Sequence, residues 1–227
     1  MIRSFTPRMD ILPDAQKQLW PQLARAPELK LVLYGGTAIA LRIGHRASVD
    51  FDFFTDKELG KAALVNAFPF ISQATVLQES RDSYTVLVPC GLSGNEHVKV
   101  SFFGGIGFGR IGEPEQTKDG TLIVASFDDL MATKLKAILQ RIEAKDYMDI
   151  AAMIAAGVRL DKGLAAARAM FGTNFQPSES LKAMVYFEGG DLRTLPREVR
   201  ETLIEAASGV RALPPVGPLF RELSIPA

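Results

Sequence analysis

The sequence predicts an α+β protein in which a mixed sheet with flanking helices is followed by an all-helical C-terminal half. The first observation is a set of short segments with the length or the period-two alternation of β-strands, at residues 29–34, 49–54, 75–78, 84–88, 98–103 and 121–125. The second is a change after residue 125, where apolar positions recur with a helical period. This change predicts an α/β core at 1–125 and a helical domain at 126–227.

The strands of the first half are bounded by recognisable turn signals. The apolar run at 29–34 predicts a buried strand, which Gly35-Gly36 closes before a helix that starts at Thr37. In the segment VDFDFF, acids alternate with aromatic residues, so residues 49–54 predict a strand with two distinct faces. The other elements expected in this half are a short helix within 10–27, a helix near 57–68 and a glycine-rich loop at 104–120.

The second half begins with a helix-capping pattern. Ser126 followed by Asp129 predicts a helix N-terminus, and the periodic pattern then continues to Gly157, long enough for one kinked helix or two. The proline-rich segment ALPPVGPLF near the end predicts neither helix nor strand. Three further helices are expected at residues 164–171, 180–187 and 196–207.

Composition and charge restrict the class of protein. Lys and Arg number 26 and so do Asp and Glu, so a nucleic-acid partner would need a local basic patch. The single cysteine, Cys90, excludes an intramolecular disulfide framework, and with only His45 and His97 a Cys/His zinc site is disfavoured. No apolar run approaches the roughly 20 residues needed to cross a bilayer. We therefore expect a cytoplasmic protein without a membrane partner.

The acids of the VDFDFF strand are the first candidate for chemistry. In an extended strand Asp50 and Asp52 point to one face, with Cα atoms about 6–7 Å apart. Two like charges on an otherwise apolar strand repel each other unless a cation lies between them, so the pair predicts a site for Mg²⁺. The alternative interpretation is a solvated edge strand with two surface acids.

The glycines before this strand supply a second candidate. Gly35-Gly36 stands between a buried strand and a helix, where backbone N–H groups can approach a phosphate and the helix N-terminus adds partial positive charge. Thr37 can add a hydroxyl group. A Gly-Gly pair alone is typical of an ordinary turn. Together with Asp50 and Asp52, however, the pattern favours a phosphate cradle beside a metal pair.

The stretch from Gly35-Gly36-Thr37-Ala38 through Gly44-His45-Arg46-Ala47-Ser48-Val49-Asp50-Phe51-Asp52-Phe53-Phe54 resembles the nucleotidyltransferase superfamily, and within it the AbiEii/AbiGii toxin-like family. A second family motif, K-x-x-A-x-x-x-R…K-D-x-x-D, is matched by Lys134, Ala137, Arg141, Lys145, Asp146 and Asp149. The resemblance covers roughly residues 30–150 and, more weakly, the segment SLKAMVYFEGG. It implies the nucleotidyltransferase fold, glycines that hold a triphosphate and aspartates that ligate magnesium.

The second motif also has a physical interpretation. On a continuous helix Lys134, Arg141 and Lys145 would lie within roughly 40° of one another and form a basic stripe. Such a stripe needs an anion opposite it, for which a triphosphate is suitable. The alternative is a solvated charged face on which Lys145 pairs with Asp149. Asp146 and Asp149 could orient the cations, contact ribose or act as bases.

These observations lead to a set of assignments. Catalysis is assigned to Asp50, Asp52, Lys134 and Asp146, with Asp50 and Asp52 as metal ligands. Nucleotide binding is assigned to Gly35, Gly36, Thr37, Ser48, Arg141 and Lys145. One departure stands out: two-metal nucleotidyl transfer usually takes a third carboxylate from a neighbouring strand, and Ser101 occupies that position in this chain. The segment 107–112 spells G-x-G-x-x-G, but no helix is expected after it, which argues against a dinucleotide site.

The expected function is Mg²⁺-dependent transfer of a nucleoside monophosphate from an NTP to a hydroxyl group of RNA, tRNA or protein. The family resemblance implies a toxin of a toxin–antitoxin or phage-defence system, with an antitoxin protein as partner. Two alternatives remain open: a catalytically weak NTP-binding module that acts through a partner protein, favoured by Ser101, and a phosphotransferase on the same fold.

Overall fold

The computed structural model describes residues 2–91 and 96–225. The strands in these residues are β1 (Ser4–Phe5), β2 (Val32–Tyr34), β3 (Asp50–Phe54), β4 (Thr75–Glu79), β5 (Ser83–Cys90), β6 (Glu96–Phe103), β7 (Glu115–Thr117) and β8 (Ile123–Val124). The α-helices are α1 (Asp14–Leu19), α2 (Gly35–Ile43), α3 (Lys61–Ala67), α4 (Phe127–Ala137), α5 (Ala144–Ala155), α6 (Leu160–Phe171), α7 (Pro177–Met184) and α8 (Arg197–Gly209). Short 3₁₀ helices lie at Met9–Ile11, Trp20–Leu23, Pro27–Leu29, Pro69–Gln73, Gly172–Asn174 and Leu192–Thr194.

All eight strands belong to one mixed sheet with the order β1-β7-β8-β2-β3-β6-β5-β4. Strand β3 lies near the middle, antiparallel to β2 and parallel to β6. Strands β5 and β6 form a long antiparallel pair. Strand β1 pairs in parallel with β7, which lies more than a hundred residues later in the chain. The predicted α+β class, a mixed sheet followed by helices, is confirmed.

The two faces of β3 differ as the alternation predicted. Phe51 and Phe53 are fully buried, whereas Asp50 and Asp52 are half-buried. The Phe53 ring stacks on that of Phe102 in β6, with the ring centroids 5.7 Å apart and the ring planes 15° apart. Burial of these aromatic rings stabilises one face of the sheet and leaves the acids on the other.

The chain divides into two compact units. The core unit comprises Met1–Gly109, Glu113–Ala125 and Phe220–Ala227, and the helical unit comprises Arg110–Gly112 and Ser126–Leu219. All strands and α1–α3 lie in the core unit, while α4–α8 lie in the helical unit. The assignment of separate roles to 1–125 and 126–227 stays a prediction.

Local details differ from the sequence interpretation in two places. Helix α2 begins at Gly35, so the two glycines form its first residues and no separate turn precedes Thr37. The expected glycine-rich loop contains β7. Of the two alternatives for the periodic segment after Ser126, the structure has two helices, because α4 ends at Ala137 and α5 begins at Ala144. The predicted cap is confirmed, since the side chain of Ser126 accepts a hydrogen bond from the Asp129 N–H.

The helices of the described part of the chain are all too short or too polar to cross a membrane.

Candidate active site

The carboxylates of β3 lie on one face of the sheet in the core unit. Asp52 is paired with Tyr34 of β2 on one side and with Ser101 of β6 on the other. Asp50 is paired with Lys99, two residues before Ser101 on the same strand. The Asp50 side chain is 27% exposed, which leaves its carboxylate accessible to a ligand. The structure thus places both acids as the strand periodicity predicted.

Gly35 fits closely against Asp52. Its φ of +74° lies in the left-handed region, where a side chain would be strained. A Cβ atom at this position would lie 2.7 Å from Asp52 Oδ2, closer than two such atoms can approach. The start of α2 and the Asp52 carboxylate therefore meet at a point where only glycine can stand. The helix N-terminus contributes partial positive charge at the same point.

Thr37 and Ser48 hold the approach to β3. Their hydroxyl oxygens are 2.7 Å apart, and Thr37 Oγ1 also forms a short hydrogen bond to the Asp50 carbonyl. Both residues are buried, with Thr37 only 2% exposed. Because the Asp50 carbonyl can only accept, the single Thr37 proton is engaged within the protein. For the Thr37 hydroxyl to contact a phosphate, this hydrogen bond would have to break. In the structure, the Thr37 hydroxyl positions the backbone of Asp50.

The residues of this face fit a divalent cation. Two carboxylates on one strand, completed by phosphate oxygens and water, form a donor set that Mg²⁺ accepts beside a nucleotide. A side chain at position 35 would collide with the Asp52 carboxylate, so the start of α2 presents only its backbone to this carboxylate. In residues 2–91 and 96–225, no group of three or more His, Cys, Asp and Glu side chains has the arrangement of a metal site.

The position of the usual third carboxylate is occupied by a neutral residue. Ser101, which the sequence places in this position, is the β6 partner of Asp52 and is 3% exposed. The charged β6 residue on this face is Lys99, whose Nζ lies 2.9 Å from Asp50 Oδ2. Sequence reasoning overlooked Lys99. Its period-two relation to Ser101 was the available signal, but the register that sets it beside Asp50 required the structure.

The second motif forms a buried cluster in the helical unit. Lys134 of α4 contacts two α5 carboxylates, with Nζ 2.6 Å from Asp146 Oδ1 and 2.6 Å from Asp149 Oδ2. The side chains of Asp146 and Asp149 are 0% exposed and that of Lys134 is 6% exposed. Burial alone would raise the pKa of Asp146, but the hydrogen bond from Arg141 and the charge of Lys134 outweigh it and lower the pKa.

The expected basic stripe on one helix is wrong. Arg141 lies in the connection between α4 and α5, so Lys134, Arg141 and Lys145 do not share a helix. Arg141 instead forms a fork on Asp146, with Nε 2.7 Å from Oδ2 and Nη2 3.1 Å from Oδ1. Lys145 pairs with Glu143 at 2.9 Å. The alternative pair of Lys145 with Asp149 is also wrong, since Asp149 holds Lys134.

The segment SLKAMVYFEGG and the residue after it hold this connection in place. Gly190 has a φ of +50°, and a Cβ atom there would lie 2.4 Å from the Ile142 carbonyl oxygen. Asp191 Oδ1 accepts a hydrogen bond of 2.7 Å from the Ala144 N–H, at the start of α5. Ser180 donates to the Leu135 carbonyl near the end of α4. The segment therefore fixes both ends of the connection that carries Arg141.

The G-x-G-x-x-G segment binds a carboxylate of the protein itself. The Ile111 N–H donates to Asp129 Oδ1 at 2.7 Å, and the Ser126 hydroxyl donates to Asp129 Oδ2 at 2.7 Å. Burial of Asp129 raises its pKa to about 6, although the hydrogen bonds from Ile111 and Ser126 act in the opposite direction. No helix follows the segment, as expected. These backbone groups stabilise the start of α4 and are not arranged as a dinucleotide site.

Comparison with known proteins gives a consistent result. The family model described as "Nucleotidyl transferase AbiEii toxin, Type IV TA system" matches residues 22–213. An uncharacterized protein of Aquifex aeolicus strain VF5 is 32% identical over 120 residues, which are 52% of this chain and 54% of the relative. The chain thus matches about half the length of that curated relative.

Two solved structures share the fold. A crystal structure from H. pylori assigned to a nucleotidyltransferase has a TM-score of 0.55 and 19% identity, covering 85% of this chain and 90% of that chain. The nucleotidyltransferase toxin MenT4 from Mycobacterium tuberculosis H37Rv has a TM-score of 0.50 and 14% identity, covering 84% of this chain and 82% of that chain. The predicted nucleotidyltransferase fold is confirmed.

Proposed function

Because the chain belongs to the AbiEii nucleotidyltransferase toxin family, we propose that it transfers a nucleoside monophosphate from an NTP to a hydroxyl group, with Mg²⁺ held by Asp50 and Asp52. One observation carries the proposal: the half-buried carboxylates share one face of β3, and Gly35 at the start of α2 touches Asp52 where only a glycine fits. A triphosphate can approach backbone N–H groups of Gly35 and Gly36 there.

The proposed reaction is an in-line displacement at the α-phosphorus. The acceptor oxygen forms a bond to that phosphorus, the bond to the bridging oxygen of the β-phosphate breaks, and pyrophosphate leaves with the electron pair. The acceptor proton is released to water or a base. When bound, Mg²⁺ would stabilise charge on the phosphates. Thr37 and Ser48 contribute by fixing the position of Asp50.

The second motif is proposed to act on the same reaction. Lys134 and Asp146 remain the proposed catalytic residues of the helical unit, and Arg141 and Lys145 the proposed triphosphate-binding residues. Arg141 and Lys145 each have a side chain that is 48% exposed, so their guanidinium and ammonium groups can reach a ligand. Lys134 has a fixed position, because its ammonium group is held between Asp146 and Asp149.

The biological setting is proposed from the family. A type IV toxin–antitoxin system contains an antitoxin, so we propose an antitoxin protein as a functional partner. RNA, and tRNA ends in particular, is the proposed acceptor, and the cytoplasm is the proposed location.

The metal assignment is tested by thermal unfolding with and without ligand. Mg²⁺ and NTP together should raise the melting temperature of the wild type, because a ligand that binds only the folded state stabilises it. Asp52→Asn should lose most of that shift, since it removes one charge of the pair with little change in shape. Asp56→Asn, a change of another core-unit acid, is the matched control and should keep the shift. An equal shift in all three proteins would exclude Asp52 as a ligand.

The reaction type is tested with labelled NTP. Purified protein, Mg²⁺ and total RNA are incubated with each of the four NTPs labelled at the α- or the γ-phosphorus. Label transferred from the α-position, with release of pyrophosphate, supports nucleotidyl transfer. Label transferred from the γ-position identifies a phosphotransferase. Binding of NTP without any transfer supports the second candidate, a weak NTP-binding module, which the neutral Ser101 favours.

The role of Arg141 is tested against that of Lys145. If Arg141 binds the outer phosphates, Arg141→Ala should weaken NTP binding roughly ten- to hundredfold, as expected for loss of a charge-assisted hydrogen bond, with little effect on adenosine. Lys145→Ala, in an equally exposed side chain, should have a smaller effect because an ammonium cannot form a fork. Calorimetric titration measures both affinities, and unchanged NTP binding by Arg141→Ala would assign Arg141 to the Asp146 contact alone.

A further inference from the structure

Charge on the carboxylate face of the core unit is balanced by a lysine from the neighbouring strand. Strands β3 and β6 are parallel, and their register pairs Asp50 with Lys99 and Asp52 with Ser101. Paired residues of adjacent strands point to the same face, so Lys99 lies on the face of the two acids. Its Nζ is 2.9 Å from Asp50 Oδ2, within the range of a charge-assisted hydrogen bond.

The charges on this face differ from those of a two-metal centre with three carboxylates. Such a centre has three negative charges against four positive charges, a surplus of one positive charge before substrate binds. Asp50 and Asp52 supply two negative charges and Lys99 one positive charge. A single divalent ion added to these three side chains gives the same surplus of one. A second divalent ion would raise it to three and would have to displace the Lys99 ammonium from Asp50.

From this register and charge balance we infer that Lys99 is the fixed cation of the centre, and that its ammonium takes the place of a second divalent ion beside Asp50. The inference rests on the proposed function. Lys99 then positions Asp50 and neutralises charge on the bound phosphates, while the neutral Ser101 supplies no carboxylate for a further ion. The centre binds one divalent ion per bound NTP.

A count of bound metal ions tests the inference without relying on activity. Mn²⁺ is titrated into the full-length protein in the presence of an NTP analogue with a methylene group between its α- and β-phosphorus atoms. Bound ions are counted by electron paramagnetic resonance and calorimetry. The wild type should bind one Mn²⁺ per chain. Two ions in the wild type would overturn the role of Lys99 and leave the proposed function standing, whereas the absence of any bound ion would overturn both.

Variants at Lys99 test its charge directly. Lys99→Met keeps the length of the side chain and removes the ammonium that competes for Asp50, so nucleotide-free protein should bind Mn²⁺ about tenfold more tightly. Lys61→Met is the matched control, because Lys61 also pairs with an acid across the surface of the core unit and has a side chain of nearly equal exposure, 40% against 39%. A change in Mn²⁺ affinity of less than twofold for Lys99→Met, as expected for Lys61→Met, would overturn the inference.

A gain of metal binding provides an independent test. Lys99→Met combined with Ser101→Asp restores a third carboxylate and removes the fixed cation, so this double variant should bind two Mn²⁺ ions with the analogue. A folded double variant that still binds one ion would contradict the inference. Should the buried Ser101 position reject an aspartate, the wild-type count and the Lys99→Met affinity decide the question.

Discussion

Two groups of lysine and aspartate side chains, one on β3 and β6 and one on α4 and α5, differ in their exposure to solvent. On β3, Asp50 is 27% exposed and its partner Lys99 39% exposed, so the pair remains in contact with solvent. In the helical unit, Lys134 is held between Asp146 and Asp149, whose side chains are 0% exposed. An exposed ion pair contributes little to the free energy of unfolding and can exchange partners, whereas breaking a buried ion pair strongly destabilises the fold.

This difference predicts different contributions of the two groups to stability. The carboxylate of Asp50 and the ammonium of Lys99 stay in contact with water, which compensates each charge when a ligand approaches. The buried cluster around Lys134 has no such compensation from water. Its ion pairs therefore hold α4 and α5 together. The comparison predicts that substitutions in the buried cluster affect stability strongly, and that those on β3 and β6 affect it weakly.

The largest effect is expected from Lys134→Met. The substitution leaves Asp146 and Asp149 buried without their shared cation, and we expect a loss of about 3–5 kcal/mol in the free energy of unfolding. Lys136→Met, on the same helix but at an exposed side chain that donates a hydrogen bond to the Asn174 carbonyl, should cost less than about 1 kcal/mol. Urea unfolding of both variants measures the difference. Equal stabilities would show that the cluster does not support the fold.

A buried carboxylate held by neutral groups sharpens the comparison. The pKa of Asp129 is about 6, above the ordinary 3.8, so the folded protein keeps this proton to a higher pH than the unfolded chain does. The contribution to stability is therefore present below about pH 4 and is lost as the pH rises to about 6, a decrease of roughly 3 kcal/mol. Asp129→Asn should lack this pH dependence.

The measurement is the free energy of unfolding of both proteins between pH 4 and 7. The difference between wild type and Asp129→Asn should change across this interval and stay constant above it. A constant difference throughout would mean that the carboxyl of Asp129 titrates normally.

A smaller effect is expected where a single hydrogen bond at a helix start is removed. Asp191→Ala deletes the acceptor of the Ala144 N–H at the start of α5, and loss of such a cap costs about 1 kcal/mol. Asp191→Asn retains an acceptor oxygen and should recover most of that loss. Thermal unfolding of the two variants distinguishes the hydrogen bond from the charge, and equal destabilisation would assign the effect to the charge.

The smallest effect on stability is expected from Lys99→Met, although this substitution should change metal binding most. Because the pair with Asp50 is exposed to solvent, the free energy of unfolding should fall by less than about 1 kcal/mol, as for Lys61→Met. Urea unfolding provides the values. A loss above 2 kcal/mol would place the pair of Lys99 and Asp50 among the structural contacts.

The elements that sequence predicted best are those whose signal is local. The alternation of acids and aromatics in β3 and the Ser126 cap both depend on neighbouring residues, and both are present in the structure. The position of the break between α4 and α5 could not be predicted, although two helices were one of the alternatives, because residues 138–143 contain neither proline nor glycine. Contacts from far along the chain, with Gly190 and Asp191, hold it in place.

The candidate site divides in the same way. Asp50, Asp52 and Gly35 could be chosen from the sequence because strand periodicity and a glycine pair mark them. The partners of Lys134 and the position of Lys99 depend on tertiary pairing and strand register, which a single sequence does not encode locally. The predicted basic stripe assumed an unbroken helix. In the structure the helix is broken, and Arg141 forms a fork on Asp146 instead.

The division of the chain into two units also bears on how such proteins diversify. The backbone passes from one unit to the other after Gly109, Gly112, Ala125 and Leu219, and the core unit is completed by the C-terminal residues, where the buried Leu223 donates its N–H to Asp56. A single recombination event between two related genes would therefore join incomplete units. Exchange of the helical unit as a cassette needs matched junctions at every passage, so lineages of this architecture should diversify mainly by point substitution.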